Sequence, residues 1–302
     1  TLSTFRYKNR MTPSNHQAYE ISVSGLTGGH SGDEIHKGFG NSNIILSRFI
    51  WNATKKFRIR LSHFDGGNLR NAIPREANAI ITVKKKLAPE LKEYFKAYSR
   101  EILMELKHTE PNLVINLQHS DLPEFVINKG THKRLISSIY ACPNGVIEWS
   151  HDLEGIVETS TNLASVKFKE NDRILVTTSQ RSSVDSAKDD IAGRIRAVFE
   201  MAGAKVVHSD GYPGWQPNPD SEIARITVDS YEELFGTKPA VRAIHAGLEC
   251  GLFLVKYPYL DMISFGPTIK GAHSPDERLH IGSTLKFWDL LLDVLKRIPE
   301  KS

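Results

Sequence analysis

The sequence predicts a mixed α/β chain in which two α+β lobes stand in tandem ahead of the end of an α/β sheet. Three observations predict it. An order of strand, helix, two strands and helix can be picked out over residues 19–107, and the same order recurs over 113–202. The run Ser209-Asp-Gly-Tyr-Pro-Gly-Trp-Gln-Pro-Asn-Pro219 is dense in turn-forming residues and marks a domain boundary. After it, helices alternate with short apolar strands over fewer than 100 residues, too few for a complete sheet.

The elements follow in order. Residues 1–17, TLSTFRYKNRMTPSNHQ, show no clear periodicity and begin without a methionine, so they read as a linker left from something longer. Alternation of apolar and polar residues predicts a strand at 19–24, a helix follows at about 41–51, and strands follow at about 57–64 and 76–84. An amphipathic helix at about 89–107 closes the first lobe, which spans about 18–110. The second lobe, about 111–207, starts after Pro111 with a strand at about 113–118 and a helix at about 131–141. Strands at about 156–168 and 172–180 and a helix at about 185–202, stopped by Gly203, complete it. The two lobes share a pattern of elements without evident sequence identity. In the tail, 208–302, a helix at about 220–235 ends at Gly236, and short strands are expected near 240–244 and 260–264. A helix start at 245–254, a polar loop at 266–280 and a final apolar helix at 282–297 finish the chain.

Composition narrows the function classes. The chain has 302 residues, 40% of them hydrophobic, and a net charge of +4 spread along its length, enough to bury a sizeable core in more than one domain. The run Lys84-Lys85-Lys86 reads as a solvated face, and nothing points to nucleic acid. No apolar segment approaches the roughly 18–20 residues needed to cross a bilayer, and the N-terminus is not a signal peptide, so a cytoplasmic setting is expected. Cys142 and Cys250 lack metal-site spacing and are read as small buried apolar groups.

Of twelve histidines, His16, His108, His119, His132, His151 and His208 lie in polar surroundings and are read as surface residues. His30, His245 and His273 sit instead in loops at the ends of predicted elements, where functional side chains collect. His30 stands inside Gly25-Leu-Thr-Gly-Gly-His-Ser-Gly32, which could be a plain turn or a phosphate cradle. Asp33 and Glu34 argue against the cradle, because they put negative charge where an anion would enter. The chain has no H-E-x-x-H, C-x-x-C pair, P-loop or G-x-S-x-G. Asn71, ahead of Ile73-Pro74, can offer its amide to a ligand. Arg181 ends the apolar strand ILVTTSQR, where its planar fork can take a carboxylate or simply an ion-pair partner.

Five stretches taken together resemble the dinuclear-zinc metallopeptidase family that includes aminoacylases, carboxypeptidase G and carnosinases, and within it the bacterial aminoacyl-histidine dipeptidases. They are GLTGGHSGDEIHKGFGN at 25–41, FDGGNLRNAIPREA at 64–77, GYPGWQPNPDS at 211–221, IHAGLECGLF at 244–253 and SFGPTIKGAHSPDERLHI at 264–281. The resemblance implies a catalytic α/β domain with an inserted lid. Here that means a two-lobed α+β lid at 18–207 and the C-terminal part of the catalytic domain at 208–302.

By this resemblance His273 is a zinc ligand, and His30 is the lid histidine that stabilises the oxyanion of the tetrahedral intermediate. Asn71 and Arg181 bind substrate, Arg181 taking its terminal carboxylate. Gly247 lines the site, and Glu249 is a candidate partner for the free amino group. The implied cofactor is a pair of Zn²⁺ ions, with other divalent metals admitted, and the implied partners are a dipeptide and a possible homodimer. The family's other zinc ligands and its general-base glutamate match nothing in this chain, so His273 alone cannot hold a metal pair and the chain by itself is expected to be inactive. The competing expectation is a non-catalytic remnant whose lid serves as an oligomerisation or binding module.

Overall fold

The structure is a computed structural model and describes residues 1–151, 155–209, 211, 213, 215, 218, 220–241, 249–270 and 277–299, the side chain of Glu249 excepted. The chain divides into two compact units, Thr1–Gly211 with Ile244–Ala246, and Tyr212–Ala243 with Gly247–Ser302.

The first unit opens with β1 (Leu2–Arg6), β2 (Asn9–Met11), β3 (His16–Ser24), β4 (Gly29–His30), α1 (Ser42–Phe57), β5 (Arg60–Gly66), β6 (Ala72–Ile73), β7 (Ala77–Lys84), α2 (Ala88–Glu105) and β8 (Val114–Ser120). It continues with β9 (Phe125–Ile127), α3 (Lys129–Ala141), β10 (Gly145–Trp149), β11 (Val157–Lys169), β12 (Arg173–Ser182), α4 (Asp185–Met201) and β13 (Lys205–Val207). Helix α1 starts where the Asn41 side chain accepts from the amides of Asn43 and Ile44, and it ends at Arg58 in the left-handed region. It therefore runs a turn and a half beyond the predicted end, and the strand after it starts later, at Arg60. Helix α2 has a proline in its first turn, where no amide donor is lost.

One sheet carries both lobes. Its strand order is β13-β1-β12-β11-β5-β7-β3-β8, with β10 added beside part of β11. The last four strands follow the chain as β3, α1, β5, β7, α2, β8 and stand in the order of the split βαβ motif. The first four repeat that order with β1, α3, β11, β12, α4 and β13. The lobes are consequently nested rather than in tandem. The strand predicted to open the second lobe, at 113–118, is β8 and pairs with β3 of the first lobe. The true first strand of the second lobe is β1, from the stretch read as a linker; it lies between β12 and β13 with Ser3 and Phe5 facing the core. Five residues with two inward side chains carry too little alternation to stand out in sequence.

The core lies between one face of this sheet and α1–α4. Tyr19, Ile21 and Val23 of β3, Phe49 and Ile50 of α1, Leu91 and Phe95 of α2, Leu135 of α3 and Phe199 of α4 belong to one buried cluster. Two histidines expected at the surface are inside. His16 is buried against the Thr82 hydroxyl, 3.0 Å away. His132 is buried under α1: its Nδ1 accepts from the Leu61 amide at 3.3 Å, and its Nε2 lies 2.9 Å from the Thr54 hydroxyl. That hydroxyl itself donates to the Ile50 carbonyl, so Nε2 must be the donor and the ring is satisfied only when neutral. Cys142 is buried as expected and its thiol is pushed up to about 12, whereas Cys250 is only partly buried.

The lobes meet where β5 and β11, the second strand of each, pair antiparallel through Gly66–Val166 and Asp65–Lys167. Lys167 Nζ bridges Asp65 at 2.6 Å and Asn68 at 2.9 Å across the joint. Behind it Asn41 Nδ2 donates to Asn144, Asn162 and the Leu163 carbonyl, which ties the start of α1 to the second lobe. Gly67 has φ +67°, and a Cβ there would overlap the Ala164 carbonyl oxygen.

The second unit holds α5 (Glu222–Phe235), α6 (Glu249–Lys256), β14 (Ile269–Lys270), β15 (Arg278–Leu279) and α7 (Ile281–Arg297). Residues 260–264, expected as a buried strand, are not in a sheet among the described residues; Leu260 is exposed, and its amide turns back to the Tyr257 carbonyl at 3.1 Å in place of a strand partner. The strand expected near 240–244 falls mostly outside the described residues. Helices α5 and α7 pack together, with Ser230 donating to Asp293 and Arg297 forked on Glu233.

Two outcomes follow from this packing. Gly67→Ala combines a left-handed backbone with a backbone clash at the lobe joint and should lower unfolding stability by roughly 2–4 kcal/mol in urea titration, whereas Gly193→Ala, inside α4 where a Cβ meets open space, should raise it by up to about 1 kcal/mol. Burial, and secondarily Arg60, hold His132 down at about 4. Its free value is about 6.5, so the unfolded chain binds the proton first; the contribution of the neutral ring is intact above pH 6.5 and is lost as pH falls toward 4. Denaturation at pH 7 and about 4.5 should differ by about 2–3 kcal/mol from this group, and an unchanged pH slope in His132→Gln would refute the assignment.

Candidate functional site

The segment that carries His30 is shaped by backbone pairing. β4 pairs with β6 through Gly29–Ile73 and His30–Ala72, and the Ser31 amide donates to the Asn71 carbonyl at 2.8 Å. His30 and Asn71 are thus held side by side although 41 positions separate them. Gly29 has φ +144°, and a Cβ there would run into the Glu34 side chain. The room it leaves lets Glu34 Oε2 accept from the His30 amide at 2.9 Å while Oε1 pairs with Lys37 at 2.9 Å. Burial opposes ionisation of Glu34, but Lys37 and the His30 amide outweigh it and hold the carboxyl below its ordinary range. Asp33 and Glu34, which in sequence only argued against a phosphate cradle, therefore shape the loop.

Arg181 arrives from the other lobe. It stands on β12 opposite Ser160 of β11, and its Nη1 lies 3.3 Å from where a Cβ on Gly32 would be. His30 Cε1 lies 3.0 Å from the same point. The imidazole and the guanidinium therefore border one position above Gly32. Arg181 is half-buried; burial depresses its pKa, Asp33 works in the opposite sense and Arg70 adds to the depression. Its Nε is buried with no hydrogen-bond partner among the described residues. Such a fork, partly stripped of water with a second arginine nearby, suits an anionic oxygen pair.

The loop that presents Asn71 is fastened to the second lobe. Asn162 Nδ2 donates to the Ala72 carbonyl at 2.8 Å, and Asn162 Oδ1 accepts from Asn41. Sequence reading passed over Arg70 and Asn162. Arg70 adjoins Asn71 and could have been flagged by position, whereas Asn162 sits in an unremarkable strand and only strand pairing shows its use.

The other predicted site residues lie elsewhere. Gly247 and His273 fall outside the described residues, as do His245 and the Glu249 side chain; the Glu249 backbone begins α6. Among the described residues no three His, Cys, Asp or Glu side chains converge so as to hold a metal ion. The second unit has a cleft of about 720 Å³ lined by Tyr231, Val241, Phe265, His280 and Phe287 among others, mostly apolar and remote in character from the polar group around His30. No described helix is long and apolar enough to cross a membrane.

Residues 15–110 match the peptidase dimerisation domain family. That range holds the first lobe up to the end of α2, with His30 and Asn71 inside it. Over 299 residues, 99% of its length, the chain is 40% identical to the cytosol non-specific dipeptidase of Escherichia coli (strain K12). Nearly the whole of this chain is matched within part of that dipeptidase. A solved structure, the aminoacylhistidine dipeptidase from Vibrio alginolyticus, superposes with a TM-score of 0.88 at 40% identity over 100% of this chain. The chain spans 61% of the length of each of these two dipeptidases. The mixed α/β architecture and the resemblance stated from sequence are thereby supported over the whole chain.

One outcome tests how the loop is fastened. Asn162→Ala should strand the Ala72 carbonyl and cost about 1–3 kcal/mol. Amide exchange at Ser31 and Ala72 should accelerate more than exchange in β3; uniform acceleration would show that Asn162 supports the lobe and not the loop.

Proposed function

We propose that this chain is the lid and part of the catalytic domain of a zinc-dependent dipeptidase that hydrolyses dipeptides, among them Xaa-His substrates such as β-alanyl-histidine, in a cytoplasmic setting. The observation that carries the reading is the meeting of His30 from one lobe with Arg181 from the other above Gly32, next to the β4–β6 pairing that holds the Asn71 backbone beside His30. A dipeptide needs those partners: a donor for the carbonyl oxygen that becomes negative, an amide for the backbone, and a fork for the terminal carboxylate. Arg181, short of a partner at Nε, takes the carboxylate. His30 supplies a hydrogen bond that strengthens as charge develops on the carbonyl oxygen, which accelerates the reaction rather than merely tightening binding. Asn71 orients the ligand between them.

The metal remains a separate part of the proposal. Two Zn²⁺ ions per complete site would polarise the scissile carbonyl and supply the nucleophile. His273 is the residue of this chain assigned to hold one of them, together with ligands from a longer polypeptide. The described side chains do not by themselves form such a centre. Gly247 and Glu249 keep their proposed places lining the site and meeting the free amino group. The β5 edge is already covered by β11 in the same chain, so a homodimer would form through another surface.

In a longer protein containing this chain, His30→Ala should lower kcat about 10²–10³-fold with zinc content unchanged. Arg181→Met should raise KM for dipeptides about 10–100-fold with a smaller effect on kcat. His273→Ala should lose zinc. Equal zinc loss in the His30 and His273 variants would refute this division of roles, and dipeptide hydrolysis by the present chain alone would refute the need for ligands from outside it.

A further inference from the structure

The ring of His30 is held by its own loop in a way the proposed reaction does not require in advance. The backbone amides of Gly32 and Asp33 both point at His30 Nδ1, each 3.3 Å away. An atom that receives two N–H groups acts as an acceptor, so in the neutral ring the proton belongs on Nε2. The Asp33 carboxylate also approaches Nδ1, at 3.6 Å, and would favour the opposite tautomer. That separation lies outside hydrogen-bond range, whereas both amides are aimed along their N–H directions, so the amides decide.

We propose that Gly32 and Asp33 are positioning residues whose backbone amides lock His30 as the Nε2–H donor. The proposal rests on the reading of His30 as an oxyanion donor and adds what fixes the donor atom. Gly32 matters twice. Its amide is half of the lock, and a side chain there would lie 3.0 Å from His30 Cε1, 3.2 Å from Nδ1 and 3.3 Å from Arg181 Nη1, displacing both functional groups. A lock of this kind removes the wrong tautomer before substrate arrives, so the site need not spend binding energy on choosing it.

The test reads the tautomer directly, in this chain, by long-range ¹H–¹⁵N correlation of ¹⁵N-labelled histidine at about pH 8, where an unperturbed imidazole is neutral. The His30 signal, assigned by its loss in His30→Gln, should show an unprotonated Nδ1 and a protonated Nε2, favoured about tenfold or more over the alternative. His132, bonded in the same sense by the Leu61 amide and Thr54, provides an internal standard and reports that each variant is folded. Asp33→Asn keeps the amide and should leave the pattern unchanged. Gly32→Ala should shift the His30 signal toward an average of both tautomers while His132 stays as it was. A protonated Nδ1 in the unmodified chain, a switch of tautomer in Asp33→Asn, or an unmoved signal in Gly32→Ala would each overturn the lock. Failure of the longer protein to hydrolyse dipeptides would remove the proposed reaction and leave this spectroscopic result standing.

Discussion

The short antiparallel joint between β5 and β11 is the constraint on which the rest of the first unit depends. It turns two βαββαβ lobes into one sheet, and it uses the same strand of each lobe, as an isologous contact between two copies would. Within one chain the joint needs no second subunit and pays no association entropy. Few residues make it: the Gly66 and Gly67 backbones, which allow close approach, the Lys167–Asp65 pair, and the asparagines behind them. Because Lys167 is largely covered, breaking its pair would leave a desolvated charge at the joint.

The candidate site inherits this constraint. His30 and Asn71 come from the first lobe and Arg181 from the second, so the spacing between the His30 ring and the Arg181 guanidinium is set by the lobe joint. Asn162 extends the joint toward the site, since it accepts from Asn41 on one side and holds the Ala72 carbonyl on the other. A change at the joint should therefore reach function through geometry, without touching a site residue. The arrangement also brings His30 and Arg181 together within one chain, so their pairing needs no second subunit.

Much of this was legible in the sequence, and the failures have physical causes. The long amphipathic helices and the hairpin β11–β12 declared themselves by period, and His30, Asn71 and Arg181 stood out as candidates by their places in loops or at strand ends. The nesting of the lobes did not, because β1 is five residues long and strand order is a property of pairing between distant segments. His16 and His132 were misjudged for the same reason: both have polar neighbours in sequence, but the groups that satisfy their rings, Thr82, Thr54 and the Leu61 amide, come from other elements. A polar neighbourhood in sequence says what surrounds the backbone, and burial depends on what crosses above it.

The glycines around His30 show how far a local motif can be understood once the fold is known. Read alone, GLTGGHSG allowed a turn or an anion cradle. In the structure its glycines serve different ends: Gly29 makes room for the Glu34 carboxylate on the His30 amide, and Gly32 leaves the space that the imidazole and Arg181 share. Both effects concern where the ring is held and how it is oriented, and neither creates an anion site of its own. The loop is thus a mount for one side chain, and its amides serve the ring nitrogen in place of a phosphate. That distinction explains why acidic residues directly after the glycines fit this loop: Asp33 and Glu34 bear on the mount, while Arg181, the group proposed to take an anion, comes from the opposite lobe.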